Sequence, residues 1–291
     1  GIPYYCGCTS GNAGCVNVLY VSCSGGGGGN SGDGVGNSGE GSGLGGEGGG
    51  GSTIGTDGDP LHPFVPNVLE FVENEPCDKL KDLLNTSKTN LKPWINNLKP
   101  KLNLVGEHGV IFRKNDLNQY GATYVPYDPE LNDNEIFLKV GGDIYCAVHT
   151  HPSYTQPMFS WSDVLHLYNI QKNIKTHNSG LATFLVLCKD DFGVEQLYSI
   201  SVNNISQFMN KIESIINSEE YLGCDITDVQ KILDEKIERR FNLENNYERQ
   251  FLKMFQSFNM TVAKANSQLT SWSVLSVNPL SPSIIAETPC N

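Results

Sequence analysis

Two histidines and an aspartate within fifteen residues are the clearest sign of chemistry in this chain. His149 and His151 lie at the end of a strand-like segment, and side chains two residues apart on a strand project from the same face. Asp163 follows twelve residues after His151, at the start of a predicted helix. Two imidazoles and one carboxylate leave a fourth position for water, which is the pattern of a catalytic zinc (Zn²⁺) site.

Such a site also needs a general base, because zinc lowers the pKa of a bound water only to about 7. Glu107 is the candidate. It opens the apolar segment Glu107–Arg113 and has no Lys or Arg beside it before Arg113. A carboxylate at the edge of an apolar strand is expected to have a raised pKa, which suits a group that accepts and returns a proton.

Together these residues resemble the JAMM (MPN-plus) metallopeptidase family. The family pattern is a strand-borne Glu, then H-S/T-H-P, then S-x-x-D; here it corresponds to Glu107, His149–Pro152 (H-T-H-P) and Ser160–Asp163 (S-W-S-D). Seven residues separate Pro152 from Ser160, where the commonest spacing has six. The resemblance covers about residues 104–200, and the loop before Asp163 is similar to that of bacterial members at the ends of exported or toxin-like proteins.

The resemblance implies that His149, His151 and Asp163 bind zinc, and that Glu107 carries a proton from the water to the leaving amine. Ser160 would stabilise the oxyanion, although the longer loop leaves open whether Ser160 or Ser162 faces it. The implied reaction is hydrolysis of a peptide or isopeptide bond. The implied partner is a protein or peptide substrate, which includes ubiquitin-like proteins.

Each of these residues also has a structural interpretation. Ser160 could cap the helix in a capping-box pair with Asp163, which is compatible with catalysis, and Glu107 could be a solvated charge. His166, three residues after Asp163, could support a ligand or lie on the surface. Two other functions stay open: an inactive binding module with the same fold, and a self-processing effector or toxin cargo domain. The complete set of site residues favours the enzyme.

Other chemistries fit the sequence less well. A zinc nucleobase deaminase would need H-x-E and P-C-x-x-C, and the chain has neither. A Cys–His hydrolase would need Cys146 and His149 on one face, but residues three apart on a strand point to opposite faces. The glycine tract lacks G-K-[S/T], which argues against a phosphate-binding loop.

Charge and composition restrict the partners. The formal net charge of −12 argues against nucleic acid and against anionic membrane surfaces. No apolar run approaches the ~18 residues of a membrane span. Nine cysteines are many for a cytosolic enzyme, which favours a secreted or cell-envelope protein. Cys77 and Cys290 bracket the folded region and could form a disulfide.

The order of predicted strands and helices indicates an α/β fold, with a mixed β-sheet flanked by helices. The resemblance implies the JAMM/MPN, cytidine-deaminase-like arrangement of these elements. Residues 1–24 are interpreted as a Cys-containing remnant of a longer precursor, and 25–76 as a disordered Gly-rich, then Pro-rich and acidic linker. Residues 77–220 are the predicted metallopeptidase domain with short N-terminal helices, and 221–291 an α+β extension. The predicted strands are Gly109–Arg113, Ala122–Pro126, Ile136–Val140, Ile144–Val148, Ala182–Cys188, Glu195–Val202, Met260–Ala265 and Trp272–Val277.

Overall fold

Eight strands form one mixed β-sheet in the computed structural model, which describes residues 76–131, 135–243 and 246–290. The strands are β1 Gly109–Lys114, β2 Tyr120–Val125, β3 Ile144–Thr150, β4 Thr183–Lys189, β5 Glu195–Val202, β6 Met260–Ala265, β7 Trp272–Val277 and β8 Ile285–Pro289. Their order in the sheet is β2-β1-β3-β4-β5-β6-β7-β8. Strands β3 and β4 pair in parallel, and the other neighbouring pairs are antiparallel.

Helices cover both faces of this sheet. They are α1 Pro76–Leu84, α2 Leu91–Leu98, α3 Trp161–Asn173, α4 Ile205–Ile216, α5 Ile226–Phe241 and α6 Tyr247–Phe255. Because strand side chains alternate between faces, Ala147 of β3 packs in the cluster under α3–α6, whereas Cys146 and Val148 pack in the cluster under α1 and α2. The predicted mixed α/β sheet flanked by helices is therefore confirmed.

The connection between the two parallel strands positions the candidate site. A parallel pair requires a crossover, and α3 supplies it between β3 and β4. Ser160 is the N-cap of α3, so the helix starts within the predicted range Ser160–Ser162. The N-terminal turn of α3 thereby lies beside the carboxyl end of β3, where the two histidines are.

Two parts of the secondary-structure prediction are wrong. Residues 136–140 are rich in apolar side chains, yet they form no strand. Both edges of β1 are taken by β2 and β3, and the Ile136 N–H is directed to the Glu107 carboxylate. The prediction also missed β8, which is a half-exposed edge strand that ends in a proline.

The C-terminal segment is joined to the rest of the described chain in two ways. Strands β6–β8 continue the same sheet beyond β5, and Cys77 forms a disulfide with Cys290 across 213 residues. The expected disulfide is therefore present. No helix among the described residues is long and apolar enough to cross a membrane. The predicted N-terminal remnant and linker lie outside the described residues, apart from Pro76.

Candidate metal centre

The carboxyl end of β3 presents both predicted histidines to one point. His149 is 2% exposed, and its ring lies 4.7 Å from that of His151, centroid to centroid. His151 Nδ1 lies 2.9 Å from the carbonyl oxygen of Gln156, which as an acceptor requires the proton on Nδ1. In the neutral imidazole this tautomer leaves a lone pair on Nε2 of His151, as a metal ligand needs.

The first turn of α3 brings Asp163 to the two imidazoles. Asp163 Oδ1 lies 3.2 Å from His149 Nε2, and Asp163 Oδ2 lies 3.5 Å from His151 Nε2. A capping box holds this carboxylate: Ser160 N donates to Asp163 Oδ2 at 2.7 Å, and Asp163 N donates to Ser160 Oγ at 3.1 Å. The capping role of both residues is present together with the convergence on the histidines.

Glu107 reaches the same point from the segment before β1. The antiparallel register pairs Gly109 with His149, and its continuation sets Glu107 opposite His151. Glu107 Oε1 lies 3.9 Å from His149 Nε2 and 3.8 Å from His151 Nε2. Its other oxygen accepts a hydrogen bond from Ile136 N at 3.4 Å. The irregular segment over the site thus orients the carboxylate that sequence analysis proposed as the base.

These distances fit a bound metal ion. Zinc bonds of about 2.0–2.2 Å in a tetrahedral arrangement set neighbouring ligand atoms about 3.3–3.5 Å apart. The two Asp163 contacts, each made by a different carboxylate oxygen, measure 3.2 and 3.5 Å and place this carboxylate beside both imidazole nitrogens. Glu107, His149 and His151 also form a group whose ligand atoms all lie within 4.8 Å of one another. The structure therefore contains a His/Glu group that could hold a metal ion, with Asp163 in contact with both histidines.

The two carboxylates differ in their electrostatic surroundings. Burial raises the pKa of Glu107, and the two nearby imidazoles only partly offset this. Burial alone would also raise the pKa of Asp163, but contacts with His149 and His151 hold that pKa well below its usual value. Asp163 is thus the more firmly ionised of the two, and Glu107 is closer to exchanging a proton.

Hydrogen bonding distinguishes the two serines of the α3 turn. The Ser162 hydroxyl donates to Asp234 and accepts from Gln230 Nε2 at 2.7 Å. The Ser160 Oγ accepts from Asp163 N, and its own proton has no acceptor among the described residues. Within the described part of the chain, the Ser160 hydroxyl therefore has its proton free to donate, and the Ser162 hydroxyl does not.

Two adjoining clefts flank the centre, with volumes of about 520 and 460 Å³. Glu107, Glu135, Ser160 and Ser162 line both clefts. Sequence analysis missed the contribution of α5, which supplies Gln230 to one cleft and Asp234 to the other. The only signal in the sequence was their spacing of four residues, which sets them on one helical face.

His166 lines the larger cleft and packs against Phe184, with ring centroids 4.8 Å apart. Burial, reinforced by the nearby His149, lowers the pKa of His166 to about 4, so the ring is neutral at pH 7. His166 Nε2 and His149 Nδ1 are buried and have no hydrogen-bond partner among the described residues. His166 therefore forms part of the cleft wall and is not a surface charge.

Cys146 lies on the opposite face of β3 from the histidines, as the strand period predicts. It is fully buried in the cluster under α1 and α2, and burial raises the pKa of its thiol well above the usual value. Cys146 therefore cannot be the thiolate nucleophile of a pair with His149, which disfavours the Cys–His alternative.

Comparisons of the chain with protein-family models, with curated proteins and with solved structures found no match. Functional inference for this chain therefore depends on the geometry of the centre and on the residue pattern.

Proposed function

We propose that this protein is a zinc-dependent hydrolase of peptide or isopeptide bonds, with the JAMM/MPN fold and mechanism. One observation carries the proposal. The imidazoles of His149 and His151 and the carboxylate of Asp163 converge at distances of 3.2 and 3.5 Å, with Glu107 slightly farther away. The parallel unit β3–α3–β4, which delivers these ligands from a strand end and a helix start, supports the same assignment.

Zinc is the proposed metal because two imidazole nitrogens and one carboxylate are a ligand set that it accepts, with a fourth position open. Bound zinc would acidify a water molecule and polarise the carbonyl of the scissile bond. Glu107 is the proposed general base. Its Oε1 lies 3.8–3.9 Å from both Nε2 atoms, which is beyond the ligand spacing and suits a carboxylate one hydrogen bond away from the water.

Ser160 is the proposed oxyanion donor. Its hydroxyl proton is free, and its position is fixed by the capping box that also holds Asp163. Glu107 would take a proton from the water as this water attacks the carbonyl carbon of the scissile bond. It would then return the proton to the leaving amine. A raised pKa suits both halves of this cycle, because the carboxyl group must hold the proton between them.

The clefts support a polymeric substrate. They extend on both sides of Glu107 and Ser160, so a polypeptide can continue past the scissile bond in both directions. Glu135 and Glu238 line the clefts, and no Lys or Arg does so among the described residues. Such a field favours protein or peptide segments with basic residues over acidic ones.

The test combines metal content with hydrolysis. We expect about one zinc per chain by mass spectrometry in the purified protein, and loss of the metal in His149→Ala. A proteome-derived peptide mixture, sequenced before and after incubation, should show cleavage that Glu107→Gln abolishes while zinc is retained. Zinc without cleavage would favour the inactive binding module, and full zinc retention in His149→Ala would refute the ligand assignment.

A further inference from the structure

Helix α5 makes a polar contact with the turn of α3 that carries Asp163. Ser162 N donates to Asp234 Oδ1 at 3.0 Å, and the Ser162 hydroxyl donates to Asp234 Oδ2. Gln230, one turn earlier on α5, donates to the Ser162 hydroxyl at 2.7 Å. Asp234 thus binds both donor groups of Ser162, and the Ser162 hydroxyl is fully used as donor and as acceptor.

This contact involves the residue between the two that are proposed to do chemistry. Ser162 directly precedes Asp163 and follows Ser160 by two positions. The capping box fixes Ser160 and Asp163 relative to each other, but it lies within α3 and does not attach the turn to anything outside the helix. The hydrogen bonds that Ser162 donates to Asp234 supply such an attachment.

An external attachment matters because the ligands come from different elements. His149 is held by main-chain pairing of β3 with β1 and β4, and His151 N donates to the Leu187 carbonyl oxygen of β4. Asp163 belongs to a helix, and its distance to the histidines depends on how the first turn of α3 is seated. A displacement of a few tenths of an ångström would change the two contacts of 3.2 and 3.5 Å and weaken metal binding.

We propose that Asp234 is a positioning residue of the metal centre. Through Ser162 it holds the first turn of α3 so that Asp163 and Ser160 face the histidines, with Gln230 completing the network. The inference depends on the proposed zinc site. It assigns a role in that site to a residue of the C-terminal segment, because Asp234 lies 71 residues after Asp163. Hydrogen-bond partners of metal ligands and of their neighbours commonly have such a role.

The test measures zinc affinity by chelator competition on the full chain, with urea unfolding of the metal-free protein as the measure of folding. We expect Asp234→Ala to weaken zinc binding by about tenfold to a hundredfold. Asp234→Asn removes the charge but keeps an acceptor for Ser162 N, so it should recover most of the affinity. Glu238→Ala is the matched control, since it removes a carboxylate from the same cleft one turn later on α5; its affinity should stay within about twofold of wild type.

Three outcomes would overturn the proposal. The first is that Asp234→Ala binds zinc as tightly as wild type. The second is that Asp234→Asn binds zinc as weakly as Asp234→Ala, and the third is that Glu238→Ala does so. The second and third outcomes would assign the loss of zinc affinity to charge. If Asp234→Ala does not fold, Asp234→Leu serves instead, because it removes both acceptor oxygens and fills the space of the carboxylate. Unchanged zinc affinity in Asp234→Leu would then refute positioning. A wild-type protein that binds no zinc would refute the proposed function as well, whereas the other outcomes leave that function intact.

Discussion

Substituting the two carboxylates of the centre separately should show which one is the zinc ligand. Asp163 oxygens lie 3.2 and 3.5 Å from the two imidazole nitrogens, whereas the nearest Glu107 oxygen lies 3.9 and 3.8 Å away. A tetrahedral zinc site requires about 3.3–3.5 Å between ligand atoms. We therefore expect Asp163→Asn to lose zinc and Glu107→Gln to keep it. Both substitutions preserve side-chain size and a carbonyl acceptor.

The expected size of the effect follows from linkage between binding and folding. Zinc at a hundredfold excess over its dissociation constant stabilises the native state by about 2.7 kcal/mol. For a folded domain of 150–250 residues, each kcal/mol shifts the Tm by about 2–4 °C, so zinc should raise the Tm by about 5–11 °C. Wild type and Glu107→Gln should show this increase, and Asp163→Asn and His149→Ala should lose most of it.

The assay is thermal unfolding of each variant, measured after chelation and again after zinc is restored. Comparing each variant with itself cancels the effect of the substitution on the metal-free fold. The reasoning would be refuted if Glu107→Gln lost the zinc-dependent increase while Asp163→Asn kept it. That result would make Glu107 the third ligand, with His149 and His151, and would leave Asp163 with a capping role only.

Three further substitutions test other parts of the structure. Ser160→Ala should lower kcat by about 10²–10³ in peptide hydrolysis and, through the lost cap, destabilise the protein by about 1 kcal/mol in urea unfolding; an unchanged kcat would exclude the oxyanion role. Gly106→Ala places a Cβ against the ring of Tyr127 at a φ of 75°, so we expect destabilisation of about 1–3 kcal/mol in urea and a lower kcat through displacement of Glu107. Cys77→Ser opens the disulfide to Cys290, which spans 213 residues, and should cost about 2–5 kcal/mol in urea unfolding; no loss of stability would contradict this.

Local sequence signals were sufficient to predict most of the centre. The strand period set His149 and His151 on one face, and the spacing Ser160–Asp163 indicated a capped helix start. Both signals act within a few residues, so they are visible without the fold. The bounds of β6 and β7 were predicted for the same reason, because each is a short run rich in β-branched or apolar residues.

Features that depend on distant residues were not predictable. Asp234 and Gln230 lie one turn apart on α5, and only the packing of α5 against α3 brings them to Ser162. Residues 136–140 have the apolar composition of a strand, but their conformation depends on Glu107 and on the neighbours of β1. In both cases the deciding contact lies at least 29 residues away in the sequence.

The way in which each ligand is held suggests where the centre would fail first. His149 is fixed by ladders on both sides of β3, His151 N donates to the Leu187 carbonyl oxygen of β4, and Glu107 continues the register of β1 with β3. Within the described part of the chain, Asp163 has no such main-chain link to the sheet. It depends on its capping box, on side-chain packing of α3 and on the hydrogen bonds that Ser162 makes with α5. Loosening α3 should therefore weaken metal binding before it unfolds the sheet.

Val164→Ala, which trims a fully buried side chain in the first turn of α3, should lower zinc affinity by a larger factor than Val148→Ala, an equally buried change on the opposite face of β3. Equal losses of zinc affinity in the two variants, measured by chelator competition, would contradict this view of the centre.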